Sequence, residues 1–291
     1  MIVHVPLIVE VASGMNDMLD RDGSRTPVEF DCGLGLDKPV RASVVQAATK
    51  WKRWALKQFD CDLHEGINTD MRAIRKVYFL DHDHSAYVDQ WDWEQVIAEE
   101  DRTLEYLRDV VSKIWKILTG AERMVMDKYP ELQDPRFPPL PEELHFIHAE
   151  EILARYPDLP RKERETKIIE EYGAVFIVGI GWVLDDGYPH EMRAADYDDW
   201  VTPTIEKDGK LRHGLNGDIL VYNHMTGRRH ELSSMGIRVT PATLREQMKI
   251  AKREDELSQP YHQMLMNSEI PLSIGGGIGQ SRVQMLLLRK A

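Results

Sequence analysis

The densest reactive string in the chain is Gly275-Gly276-Gly277-Ile278-Gly279, with Arg282 three residues beyond. Glycines let a ligand approach the backbone closely, and an arginine at a helix start could clamp phosphate oxygens bidentately. Both common nucleotide motifs fail, however. Counting from Gly277, the sixth position of G-x-G-x-x-G is Arg282, and the G-K-[ST] of a P-loop is absent. What remains is a glycine turn that cradles a ligand or simply closes a strand onto a helix. In YVDQWDWE (Tyr87 to Glu94), a strand would put Asp89, Trp91 and Trp93 on one face and Gln90, Asp92 and Glu94 on the other. Such a polar row is costly unless its members meet a ligand or each other; the alternative is an edge strand with a solvated face. LDHDHS offers an H-x-H pair, His82 and His84, but no third ligand stands at motif spacing, so a loop with solvated histidines fits better than a metal site. Asp196, Asp198 and Asp199 in ADYDDW precede Asp218, Glu231 and Arg238. Carboxylates on adjacent strands could hold Mg²⁺ on a nucleotide, or they could be plain surface acidity.

The elements that must position these groups can be read coarsely. A β-rich start, Ile2 to Val11, leads into the turn-rich loop SGMNDMLDRDGSRTP. A helix is expected from about Ala42 to Gln58, with Val45, Ala48, Ala55 and Leu56 inward. Leu104, Leu107, Val111, Ile114 and Leu118 alternate spacings of three and four, marking a long amphipathic helix. The proline-rich PELQDPRFPPLP is a loop. Strands are expected at LHFIH, AVFIVGI, DILVYN and HELSSMGIRV, then a helix from about Pro241 to Glu256 and a closing strand, glycine turn and helix. The strands do not alternate regularly with helices, so one α+β domain around an antiparallel sheet is expected, not a doubly wound fold.

Composition limits the function classes. The 291 residues carry 37 Lys+Arg against 49 Asp+Glu, a formal charge of −12, which disfavours nucleic acid as a partner. Hydrophobic residues make up 42% and charged residues 30%, an ordinary soluble globular balance. Cys32 and Cys61 are too few for a disulfide framework or a cysteine-built zinc site. The longest apolar run, Ala174 to Leu184, is about half of a membrane span, and MIVHVPLIVEV lacks the basic leader of a signal peptide. A cytoplasmic location is the expectation, with no membrane partner.

Several strings taken together are more specific than any alone. KWKR (Lys50 to Arg53), YVDQWDWE, FIHAEEILARYPDL, GAVFIVGIG, RAADYDDW, GLNGDILVYN, ELSSMGIRV and IGGGIGQSR occur in this order across nearly the whole chain. They closely resemble ammonia-dependent asparagine synthetases of the A type, the aspartate–ammonia ligases. That family is similar to the catalytic core of class II aminoacyl-tRNA synthetases, an antiparallel sheet flanked by helices. The resemblance implies that Mg-ATP activates the aspartate side chain as β-aspartyl-AMP with release of pyrophosphate, and that ammonia then displaces AMP to give L-asparagine. It implies a homodimer and the co-substrates L-aspartate, ammonia and ATP with Mg²⁺.

The resemblance also carries roles onto residues. Arg75 falls where the second class II motif bridges the α-phosphate and the attacking carboxylate, and Arg282 closes the third motif against the triphosphate. His84 and Ser85 fall in the loop covering adenine. Asp198, Gly277 and Gly279 fall with the ATP-binding set, and Asp218 and Glu231 with the Mg²⁺-binding or nucleotide-binding carboxylates. Asp17, Gln90, Asp92 and Ser234 match the aspartate pocket, where Lys52 and Arg238 could hold the substrate carboxylates. Asp92 or Asp198 could accept a proton from incoming ammonium. Departures from the family pattern are Ala47, where the family reads serine, and an insertion, RDGSR, after Leu19. VPLIV resembles the tail of the first class II motif, so the dimer-building helix before it and a final segment after Arg282 are expected to be missing. Alternative readings are an aspartyl-adenylate-forming paralogue that activates the α-carboxylate, and an inactive binding protein on the same fold.

Overall fold

The structure is a computed structural model that describes residues 1–20, 24–33, 35, 37–76, 84–207 and 209–290. Arg21, Asp22 and Gly23 of the RDGSR insertion, and His82 of the H-x-H pair, lie outside the described residues. The chain runs β1 (Ile8–Glu10), β2 (Glu29–Cys32), β3 (Val40–Val44), α1 (Thr49–Gln58), β4 (Gly66–Ile74), β5 (Tyr87–Val96), α2 (Leu104–Lys128), β6 (His145–His148), α3 (Ala149–Arg155) and α4 (Arg161–Tyr172). It continues through β7 (Ala174–Val178), β8 (Pro203–Lys207), β9 (Lys210–His213), β10 (Asn216–Asn223), β11 (Arg228–Ile237), α5 (Pro241–Ala251), α6 (Pro260–Met266), β12 (Ser273–Gly279) and α7 (Gln280–Leu287).

Seven strands form the main sheet in the order β4-β5-β12-β11-β10-β7-β6. Every neighbouring pair is antiparallel except β6 and β7, which are parallel and joined through α3 and α4. The architecture is therefore α+β. One face carries α2 and α7, whose Leu107, Val111, Trp115, Leu118, Val283 and Leu286 pack on Phe176, Ile219, Met235 and Ile274. Burying each such side chain contributes ~1.5–3 kcal/mol. Thr103 caps α2, its side chain accepting the Tyr106 N–H at 3.1 Å. On the opposite face, α3 and α4 cover one end through Ile152, Leu153, Ile168 and Ile169. At the other end Ala55 and Leu56 of α1 pack on Ile67 of β4. The strands between these two covers are left open as a cleft.

Four expectations change. Val40–Val44 is a strand, not the start of a helix, because it pairs on both sides with β1 and β2. The helix begins only at Thr49, whose N–H donates to Asp17 Oδ2 at 2.6 Å while Lys50 N–H donates to Oδ1 at 3.1 Å. At the N-terminus, β1 is three residues long, and Ile2 makes only an isolated bridge to Asn68. The helix from Pro241 stops at Ala251, where Lys252 turns left-handed at φ 59°, and a short 3-10 turn follows. Finally, the glycine cluster is not a turn: Gly275 to Gly279 are strand residues, Gly275 to Ile278 paired on both edges with β5 and β11 and Gly279 with β5.

Candidate active site

Register places the polar side chains. Asp92 on β5 sits opposite Gly277 on β12, Gly277 opposite Ser234 on β11, and Ser234 opposite Asp218 on β10. One row thus crosses four strands. The next row runs from Glu94 through Gly275 to Gly236. β5 lies inside the sheet, so the edge-strand reading of YVDQWDWE is excluded, and Asp92 and Glu94 are buried. A Cβ on Gly277 would collide with Asp92 Oδ1, and one on Gly275 would collide with the Glu94 carboxylate. The glycines therefore make room for the carboxylates of the neighbouring strand. Asp196, Asp198, Asp199 and Asp218 are buried as well, which excludes surface acidity as their explanation.

Two connected recesses lie over this floor. The first, about 240 Å³, is lined by Arg75, His84, Ser85, Gln90, Gly279 and Arg282, among others. The second, about 150 Å³, is lined by Lys52, Asp92, Asp198, Asp218 and Arg238. Arg75, Gln90, Glu231, Ser234 and Gly277 line both. The structure thus brings together every residue assigned by resemblance except Asp17, which is fully buried with both carboxylate oxygens bound to the α1 N-terminus. That placement makes Asp17 a helix cap instead of a pocket acid, since the first turn of a helix leaves N–H groups unpaired.

Lys52 and Arg238 also depart from expectation. The Lys52 ammonium has three donors, and it meets Asp92 Oδ2 at 2.8 Å, Gly276 O at 3.0 Å and Trp93 O at 3.2 Å. Arg238 forks onto Glu94 at 2.9 and 2.8 Å, and its third nitrogen donates to Asp198. Both cations are engaged by protein carboxylates, so they fix the pocket walls before any substrate carboxylate arrives. Asp92 Oδ1, by contrast, is buried with no hydrogen-bond partner among the described residues. Burial raises the Asp92 carboxyl above its ordinary value against the pull of Lys52. Glu94 goes the other way: burial pushes it up, but Arg238 and Lys52 hold it down.

Glu191, Asp218 and Glu231 form a carboxylate cluster whose oxygens lie within 4.8 Å of one another. Burial raises Asp218 to about 6, with Glu231 and Glu191 adding to the rise and Arg193 opposing it. Three converging carboxylates, one of them reluctant to ionise, fit a divalent cation. Arg282 meets Glu231 Oε1 at 3.3 Å, and Arg193 meets Asp218 Oδ1 at 2.7 Å and Ser234 Oγ at 2.6 Å. Arg193, Glu191 and Glu94 are site residues absent from the assignments made on sequence. Glu94 continues the period-two row of Gln90 and Asp92, and Arg193 opens RAADYDDW, so both carried a local signal; Glu191 carried none.

A family model described as aspartate-ammonia ligase matches residues 1–291. The aspartate–ammonia ligase of Lactiplantibacillus plantarum is 45% identical over 289 residues, covering 99% of this chain and 83% of the relative. That of Fusobacterium nucleatum is 46% identical over 288 residues, covering 99% and 81%. Among solved structures, asparaginyl-tRNA synthetase from Pyrococcus horikoshii complexed with asparaginyl-adenylate matches with a TM-score of 0.67 at 15% identity, over 99% of this chain and 60% of that one. Asparaginyl-tRNA synthetase from Entamoeba histolytica matches with a TM-score of 0.63 at 15% identity, over 99% and 59%. The chain thus spans about 60% of the length of those synthetases and shares the fold of their class II catalytic core. The chain belongs to the aspartate–ammonia ligase family.

Proposed function

We propose that this protein makes L-asparagine from L-aspartate, ammonia and ATP through β-aspartyl-AMP, releasing AMP and pyrophosphate. The observation that carries the reading is the junction of the two recesses: a space that presents Arg75 and Arg282 meets one that presents the carboxylates of Asp92, Asp198 and Asp218, with Arg75 lining both. ATP is assigned to the first, with His84, Ser85, Gly277 and Gly279 around it. Aspartate is assigned to the second, its ammonium on the unpartnered Asp92 Oδ1, with Gln90 and Ser234 beside it.

In this reading Arg75 lies where it contacts both recesses and steadies the α-phosphate beside the aspartate β-carboxylate. Attack of that carboxylate on the α-phosphorus expels pyrophosphate, whose charge Arg282 neutralises. Preorganised donors of this kind contribute ~3–4 kcal/mol each. Glu191, Asp218 and Glu231 would hold Mg²⁺, which when bound offsets phosphate charge. Arg193 keeps Asp218 and Ser234 in place. Asp198, tied to Arg238, is the candidate proton acceptor for the second step. We further propose a cytoplasmic homodimer, joined near the exposed Leu7, Ile8 and Val40 of the N-terminal segment. ATP–pyrophosphate exchange tests the first half-reaction: exchange that requires aspartate is expected, and exchange indifferent to aspartate contradicts the reading.

A further inference from the structure

Behind the carboxylate cluster stands a buried acid that the mechanism above does not use. Glu165 on α4 is 3% exposed and lines neither of the two recesses. Its Oε1 lies 2.9 Å from His190 Nε2 and 3.5 Å from an Arg161 nitrogen, and its Oε2 lies 2.8 Å from Arg229 Nε. Taking a carboxylate out of water is costly unless opposite charge meets it, and α4 and β11 each supply a guanidinium here. Burial alone would push the Glu165 carboxyl up, but the contact with His190 and the charges of Arg161 and Arg229 hold it below its ordinary value.

Both arginines lead on to the candidate cation site. The Arg161 nitrogen that meets Glu165 also meets Glu191 Oε2 at 2.5 Å. Arg229 stands two residues from Glu231 on β11, so the two side chains leave the same face of the strand. Burial pushes Glu231 up as well, and Arg282, Arg229 and Arg193 outweigh it. Resting on the reading that Glu191, Asp218 and Glu231 hold Mg²⁺, we propose that Glu165 is a positioning residue for that cation. It ties back Arg161 and Arg229, so that Glu191 and Glu231 stay open to a divalent ion.

The direction of the effect follows from charge. Each carboxylate of the cluster already has an arginine of its own: Arg161 on Glu191, Arg193 on Asp218 at 2.7 Å, and Arg282 on Glu231 at 3.3 Å. Further positive charge drawn onto these oxygens competes with the metal for the same lone pairs. Neutralising Glu165 adds one net positive charge beside the cluster and releases two guanidiniums toward it. A dication is repelled on both counts.

Glu165→Gln keeps the shape and removes the charge. Binding of Mn²⁺ to the protein without nucleotide, followed by loss of the free-ion EPR signal, should weaken by roughly tenfold. The Mg²⁺ requirement of aspartate-dependent pyrophosphate exchange should rise in step, while the aspartate KM stays within about twofold of wild type. Glu165→Asp restores the charge and should bring Mn²⁺ affinity back to within about threefold of wild type. Arg229→Gln has the opposite sign: removing a cation should tighten Mn²⁺, and this variant decides the matter even where Glu165→Gln does not fold. Unchanged Mn²⁺ affinity in folded Glu165→Gln overturns the positioning role. Equal weakening in Glu165→Asp and Glu165→Gln, or weaker binding in Arg229→Gln, overturns it too, because loss of packing alone would do the same. A wild type that exchanges pyrophosphate but binds no Mn²⁺ overturns the cation site and this inference with it. A wild type that binds Mn²⁺ but shows no exchange would instead overturn the proposed function.

Discussion

In the proposed reading, Asp92 carries the recognition of substrate at the level of single residues. Its Oδ2 is bound to Lys52 at 2.8 Å, and its Oδ1 faces Gly277 with no hydrogen-bond partner among the described residues. A hydrogen bond to a charged group is worth ~1.5–3 kcal/mol, so Asp92→Asn should raise the aspartate KM by roughly tenfold to a hundredfold. Steady-state assays should find kcat nearly unchanged; a collapse of kcat with KM intact would assign Asp92 to proton transfer instead. Arg282→Ala should lower kcat/KM for ATP by about 10²- to 10³-fold, read in the exchange assay. The raised Asp218 carboxyl sets a pH dependence. Its ionised form is disfavoured in the fold, so protonation sets in as pH falls through about 6, and a protonated carboxyl no longer ligates a cation. The apparent affinity for Mg²⁺ should therefore weaken from pH 7.5 to pH 5.5 (about two units spanning that value), and Asp218→Asn should remove the dependence. Gln90 and Asp92 were legible in the sequence because alternation on a strand declares a shared face. Glu191 was not, because its partners Asp218 and Glu231 come from distant strands and no local period links them.

Among elements, β12 and α1 hold the most stringent packing. Gly277→Ala should drive the Asp92 carboxylate out of place and cost activity far more than stability, whereas Ala at Gly279 meets only the flexible Arg282 side chain at 3.3 Å or more. Paired kinetics on the two variants check this. Asp17→Ala uncaps α1 and should cost ~1–2 kcal/mol, lowering Tm by about 2–4 °C in calorimetry, whereas Asp17→Asn should retain most of the cap. The amphipathic stripe of α2 and the continuous apolar run of β7 were readable because one periodicity dominates each. The start of α1 was not: its cap comes from Asp17, more than thirty residues upstream, and Val40–Val44 becomes strand only by pairing with β1 and β2. Likewise, the glycines of β12 mimic a turn locally, and it is the carboxylates of β5 that explain Gly275 and Gly277.

At the scale of the whole molecule, buried charge holds distant segments together. Lys50 of α1 meets Asp196 at 3.0 Å, and Asp196 accepts from His262 of α6 at 3.1 Å, with all three side chains nearly inaccessible. Burial alone would raise the Asp196 carboxyl, but Lys50 and His262 hold it below its ordinary value. Its contribution to stability is therefore present above the ordinary carboxylate range and is lost on acidification through the folded value. Lys50→Met strands the Asp196 charge and should cost about 3–5 kcal/mol in denaturant unfolding. The charge of −12 fixed neither fold nor site; it disfavoured nucleic acid as a partner, while much of the useful acid proved to be buried inside. The central claim is the AMP-forming amidation of aspartate. Incubating the protein with aspartate, ATP, Mg²⁺ and ammonium and quantifying products tests it most directly: one AMP per asparagine is the expected result, and asparagine formed with ADP, or AMP formed with no asparagine, would contradict it.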